Sequence, residues 1–423
     1  MCSPNGEPSA HEERHDNSNH HEQPASTEPF PWNIGVCDAH CHPTDTMASI
    51  ATIGGMRARA LTVMATRGQD QDLVASVADQ HAIRDRSELE AASADQGTSL
   101  RKIVPAFGWH PWFSHQLYDD SATNEPRQKE KHYASVLQPT PDADFIAGLP
   151  DPIPLSQFLA ETRARLEAHP TAIIGEVGLD KAFRLPWGWK ETEKMERDEE
   201  LTPGGREGRM LSPHHVKMAQ QTLVLKAQLR LAGELGRGAS VHGVQAHGVL
   251  FEALSSLWKG HEKEVLSRRK RKMVAAGAED FSDLSDEEEE SEGEDGPKKE
   301  RKPKTKPYKP KPFPPRICLH SFSGPPQMMT QYLNPAVPAK IFFSFSMCVN
   351  LGTPGGEGKF ADVIRACPDD QLLVESDLHT AGDRMDRELE LMTRKICEVK
   401  GWSLEEGVKR LRKNYESFIF GDS

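Results

Sequence analysis

Short apolar runs recur along the chain, bounded by Gly, Pro or Asp. They lie near residues 35–41, 58–64, 102–107, 171–176, 238–242, 316–320, 339–345 and 371–376. Runs of this length read as strands buried on both faces. Helical spacing fills the intervals. One helix is expected to start at Pro213 and run to Leu235, with Val216, Ala219, Leu223, Lys226 and Arg230 along a mixed face. Another sets Met385, Leu389, Met392, Ile396 and Val399 on one buried stripe. Ser403 and Glu406 make a capping box that opens the last helix, which carries Val408 and Leu411. Strands alternating with helices imply a parallel sheet. Eight of them imply closure, so the expected fold is α/β, a (β/α)8 TIM-type barrel.

Two polar segments break this rhythm. Residues 1–30 hold His11, His15, His20 and His21 among Asn, Ser, Glu and Gln, and read as a disordered tail. Residues 259–315 read as a disordered charged insertion. It runs from Arg268-Arg269-Lys270-Arg271-Lys272 through the acidic block Asp286-Glu287-Glu288-Glu289-Glu290 to alternating Lys and Pro. The basic cluster is either an import signal or acidic-partner contact, or a counterweight to the acidic block. Ser282, Ser285 and Ser291 resemble sites of acid-directed kinases. The barrel is then expected over 31–421, roughly 330 residues once the insertion is removed, within the usual size range.

Composition narrows the function. A net charge of -12 argues against general charge attraction to long nucleic acid, so any such contact must be local. Seven scattered cysteines without a CxxC pair fit a reducing compartment. Cys37 and Cys41 are expected to pack on the strand face opposite His40 and His42. The N-terminus lacks the apolar core of a signal peptide, and no run nears the roughly 18 apolar residues of a membrane span. These features imply an intracellular protein, cytoplasmic or nuclear.

Candidate chemistry collects at strand ends. His40 and His42 are two residues apart, so an extended strand aims both the same way. Further runs end in Glu176, His242, His320 and Asp377. In a barrel of this class, active residues stand at the C-terminal ends of strands. Four imidazoles and two carboxylates exceed the needs of one tetrahedral ion. They suit two divalent ions about 3.5–4 Å apart, sharing a carboxylate and a water. The residue types leave Zn2+, Mn2+ or Mg2+ open.

Several motifs occur in a fixed order: Asp38-Ala39-His40-Cys41-His42, Gly108-Trp109-His110-Pro111, Gly175-Glu176-Val177-Gly178-Leu179-Asp180, Val241-His242, Leu319-His320-Ser321-Phe322-Ser323-Gly324 and Glu375-Ser376-Asp377. Together they resemble the successive signatures of the TatD family of metal-dependent deoxyribonucleases, amidohydrolase-like barrels. Gln221, Leu225, Gln228, Leu229 and Ala232 resemble the family helix before the His242 strand, and Asn414 and Phe420 sit where the family closes its last helix. The resemblance implies that His40, His42 and Asp377 hold one ion and His242 and His320 a second, with Glu176 between them. Asp377 would also accept a proton from the attacking water. His110 would stand beside the substrate in a catalytic role, and Arg184 would meet phosphate. Two positions depart from the family: Val244 stands where many members have Arg, and Leu378-His379 follow Asp377 where Pro is usual.

The leading expectation is therefore a metal-dependent phosphodiester hydrolase acting on DNA. Hydrolysis of an amide or ester on the same barrel is the alternative within enzymes. The charged insertion adds a third reading. It resembles a fungal branch described as partners of a TPR subunit of the anaphase-promoting complex, which would make the chain an adaptor in a mitotic regulatory complex.

Overall fold

Each expected run forms a strand: β1 (Cys37–Cys41), β2 (Ala60–Met64), β3 (Ile103–Phe107), β4 (Ile173–Asp180), β5 (Ala239–Val244), β6 (Arg316–Leu319), β7 (Lys340–Phe345) and β8 (Leu372–Val374). The structure, a computed structural model, describes residues 28–91, 101–121, 128–190, 197–265, 308–352 and 356–422. The eight strands pair in chain order as one parallel sheet. The sheet curls until β1 and β8 meet at their C-terminal ends. There Asp377 N–H donates to the His40 carbonyl at 3.0 Å and His42 N–H to the Leu378 carbonyl at 2.8 Å.

Helices cover the outside. They include α1 (Gln71–His81), α2 (Leu155–Ala168), α3 (Met218–Glu234), α4 (His247–Trp258), α5 (Pro326–Tyr332), α6 (Gly356–Ala366), α7 (Asp383–Lys400) and α8 (Leu404–Phe420). Short 3-10 turns, not an α-helix, link β1 to β2. A large apolar layer lies between strands and helices, and Met385, Leu389, Met392 and Ile396 of α7 enter it as their spacing requires. A second cluster takes residues from every strand but β5, including Ala60, Ile173, Cys318, Phe342 and Leu373. Tyr415, Phe418 and Ile419 of α8 join it. The last helix thus plugs the N-terminal end of the barrel. Its head is capped as the sequence indicates: Ser403 Oγ accepts from the Glu406 N–H at 3.2 Å.

Several boundaries differ from expectation. The helix expected from Pro213 begins at Met218, because His215–Val216 is extended and pairs antiparallel with Leu137–Gln138. Val216, read as helical, is buried in a side cluster with Tyr133, Phe145 and Leu185. The insertion drawn over 259–315 is too wide. Phe313 is 1% exposed, and the Tyr308 hydroxyl donates to the Gly233 carbonyl at 2.5 Å, so the returning arm packs on α3. The core of that insertion, 266–307, and residues 1–27 of the tail lie outside the described residues. Cys37 and Cys41 do not share a face. Register shifts between Asp38 and Cys41, which puts Cys37 in the inner cluster and Cys41 in the outer layer. No helix among the described residues is long and apolar enough to cross a membrane.

Candidate metal centre

Glu176 is the hub of the C-terminal mouth. It stands within β4, buried, and its two oxygens face different partners. Oε1 lies 2.7 Å from His320 Nε2, 2.9 Å from His242 Nδ1 and 3.2 Å from His110 Nε2. Oε2 lies 3.5 Å from both His40 Nε2 and His42 Nε2. His40 Nε2 and His42 Nε2 face each other at 3.1 Å, and Asp377 Oδ1 is 3.8 and 3.5 Å from them. The structure thus brings His40, His42, His110, Glu176, His242, His320 and Asp377 to one point. Their ligand atoms form three groupings, each within 4.8 Å: His40, His42 and Asp377; His40, Glu176 and His320; His110, Glu176 and His242. Asp377 holds a positive φ of 55°, which an L-residue keeps only when its surroundings enforce it.

Partners behind the ligands fix the rings. His40 Nδ1 meets Ser240 Oγ at 2.9 Å, leaving Nε2 for the centre. His242 Nε2 lies 3.3 Å from Asp180 Oδ2, which also accepts from Trp112 Nε1 at 2.6 Å. A carboxylate only accepts, so Asp180 places a His242 hydrogen on Nε2 and turns Nδ1 toward Glu176, the nitrogen an ion would take on losing its proton. Asp180 is therefore an orienting group, a role its sequence position alone left open. The sequence also gave no role to Asp38 and Glu375. Asp38 accepts from His40 N–H and Ser376 N–H, both at 3.0 Å, and from Ser376 Oγ at 2.5 Å. Glu375 accepts from Ser321 N–H at 2.7 Å, from Ser321 Oγ at 2.6 Å and from Ser344 Oγ.

Charge is distributed unevenly. Burial, helped by His320, pushes His40 down to about 3. Burial also opposes charge on His42, yet the Asp377 hydrogen bond and Glu176 lift it to about 9. His242 rises to about 10 because Asp180 and Glu176 outweigh its burial. Burial acts against ionised Glu176 as well, but His110, His320 and His40 hold its carboxyl well below the usual range. Burial raises Asp38 and Glu375 to about 7 each.

This donor set fits divalent cations. Among the described residues, the ion pairs of Glu176 and Asp377 are all with imidazoles, so nitrogen lone pairs and carboxylate oxygens converge without a Lys or Arg to neutralise them. Arg184 is exposed on the loop after β4, outside this convergence. Val244 ends β5 and supplies no cation. His379, unassigned from sequence, stands beside the cluster with its Nδ1 2.7 Å from Asp45 Oδ2.

The family model described as TatD related DNase matches residues 37–420. The chain is 34% identical over 388 residues to Cut9-interacting protein scn1 of Schizosaccharomyces pombe, covering 91% of this chain and 98% of that protein. It is 25% identical over 352 residues to a Saccharomyces cerevisiae protein named an uncharacterized deoxyribonuclease, covering 81% and 83%. A solved TatD homolog from Escherichia coli overlays with a TM-score of 0.46 at 15% identity, covering 92% of this chain and 100% of that one.

Proposed function

Because the chain belongs to the TatD-related DNase family, we propose that it is a metal-dependent phosphodiesterase that cuts DNA. The observation that carries this reading is the placement of Glu176 between two sets of imidazoles, with an oxygen toward each. His40, His42 and Asp377 would hold one ion. His242 and His320 would hold a second, and Glu176 would be shared. Divalent ions so held lower the pKa of water and offset charge building on a phosphoryl oxygen.

The protein's own groups supply the rest. Asp377 is the ligand carboxylate nearest solvent, with its side chain 15% exposed, so it is placed to take a proton from the attacking water. Asp180 and Ser240 keep His242 and His40 in fixed orientations. His110 forms one wall, its ring edge-on to His242 at 4.5 Å and to Trp112 at 4.7 Å. That position allows either ligation or contact with substrate phosphate. Arg184 would meet phosphate from the rim.

The test is incubation of the purified chain with single- and double-stranded DNA and Mg2+, Mn2+ or Zn2+, beside a Glu176→Ala control. Cleavage by the parent alone supports the reading. Inert DNA combined with turnover of amide or ester substrates moves the assignment to another bond.

A second role, binding a protein partner, is favoured by the name of the Schizosaccharomyces pombe relative. In chain order the charged insertion falls between α4 and β6, and none of the candidate ligands lies within it. Removing 266–307 should then abolish partner binding while DNA cleavage persists.

A further inference from the structure

We propose that His379 is a positioning residue: through Asp45 it latches the loop after β8 to the loop after β1, and so sets Asp377 against His42. The proposal rests on the reading that these two residues hold a metal ion. Its basis is a chain of contacts across the seam of the barrel. His379 Nδ1 donates to Asp45 Oδ2 at 2.7 Å, and its ring stacks on His42 at 5.3 Å with 25° between planes. The acceptor is a carboxylate, so Nδ1 carries the hydrogen.

Asp45 is a firm anchor. Its other oxygen accepts from Arg67 Nη2 at 2.7 Å. Arg67 is buried and donates as well to Asp70, Thr66, Thr202 and Pro203, tying in the loop after β2 and the segment that precedes α3. The same seam carries the Asp377–His40 and His42–Leu378 backbone bonds and a bond from Ala381 N–H to Ser49 Oγ at 3.0 Å. Two features single out His379 within it. Its side chain is 51% exposed, so its place rests on the bond to Asp45 and the stack on His42. Two residues before it, Asp377 sits at a φ of 55°, a conformation that neighbouring ties must maintain. Without the latch, the loop relaxes and the carboxylate turns from the imidazole.

Hydrogen exchange on the metal-free full chain tests the latch directly, with His379→Ala and His379→Asn beside the parent. The Asn amide can still donate to Asp45. Amides of 377–382 should exchange roughly tenfold faster in the Ala variant and at parental rates in the Asn variant, while β3 amides stay protected in all three. Mn2+ affinity, measured by calorimetry, should fall at least about tenfold in the Ala variant and recover with Asn. Equal exchange and equal affinity in the Ala variant overturn the proposal, as does an Asn variant as impaired as Ala. A parent that takes up no Mn2+ overturns the metal reading instead, and the exchange comparison, made without metal, still decides the latch.

Discussion

The two ends of the barrel use the same strands for opposite ends. Along β6 the inward side chain changes from Cys318 to the ligand His320 just past the strand. Along β7 it changes from Phe342 to Ser344, and from β8 onward Leu373 gives way to Glu375. One step of the two-residue period separates an apolar floor from a charged mouth. At the floor, α8 seals the interior with Phe418 and Tyr415, and burial there stabilises the fold. At the mouth, burial works against every charged group and is tolerated only because each has partners. Stability and reactivity are therefore separable by position, and substitutions at the two ends should have different signatures.

The largest effect should follow Glu176→Ala. Both halves of the centre lose their shared carboxylate, so metal content should collapse and DNA cleavage should fall on the order of 1,000-fold or more. Metal analysis by mass spectrometry checks this, and a variant that keeps its ions would undo the assignment of Glu176. Phe418→Ala should do the reverse. It should cost about 3–5 kcal/mol of folding free energy, measured by urea denaturation, with metal content per folded chain unchanged.

The third contrast is pH. His42 at about 9 and His242 at about 10 lie above the ordinary histidine value of 6.5. Their contribution to the metal-free fold is therefore full below pH 6.5 and lost as pH rises through 9 and 10. An entering ion must displace those same protons, so its affinity should rise over that interval. Melting temperatures with chelator and with Mn2+ should diverge from pH 6.5 to 10. Parallel curves would show that the two imidazoles do not bear the protons. The smallest effect belongs to the floor: Ser403→Ala removes the cap of α8 and should cost about 1 kcal/mol, with cleavage unaffected.

The strands were legible because a strand buried on both faces writes an uninterrupted apolar run, and the ligands because several of those runs end on or beside one. The spacing of His40 and His42 is a weak signal alone and gained weight from the other strand-end residues. What stayed hidden depends on partners distant in sequence. Asp180 orients His242 only because the strands β4 and β5 are neighbours, and Ser240 meets His40 only because the barrel closes. Neither relation leaves a periodic trace. The false start at Pro213 has a similar origin. Val216 fits a helical stripe, yet its burial comes from pairing with Leu137, a contact that local spacing cannot encode. Charge and Pro content blurred the edge of the insertion, because Phe313 sits in a run of Lys and Pro while its ring is buried.

The seam between β1 and β8 also orders events during synthesis. His40 leaves the ribosome long before Asp377. Until the final strand is released, the wall stays open and the early imidazoles lack their acid. A message cut short upstream of that strand therefore encodes a chain that lacks both Asp377 and the wall that carries it.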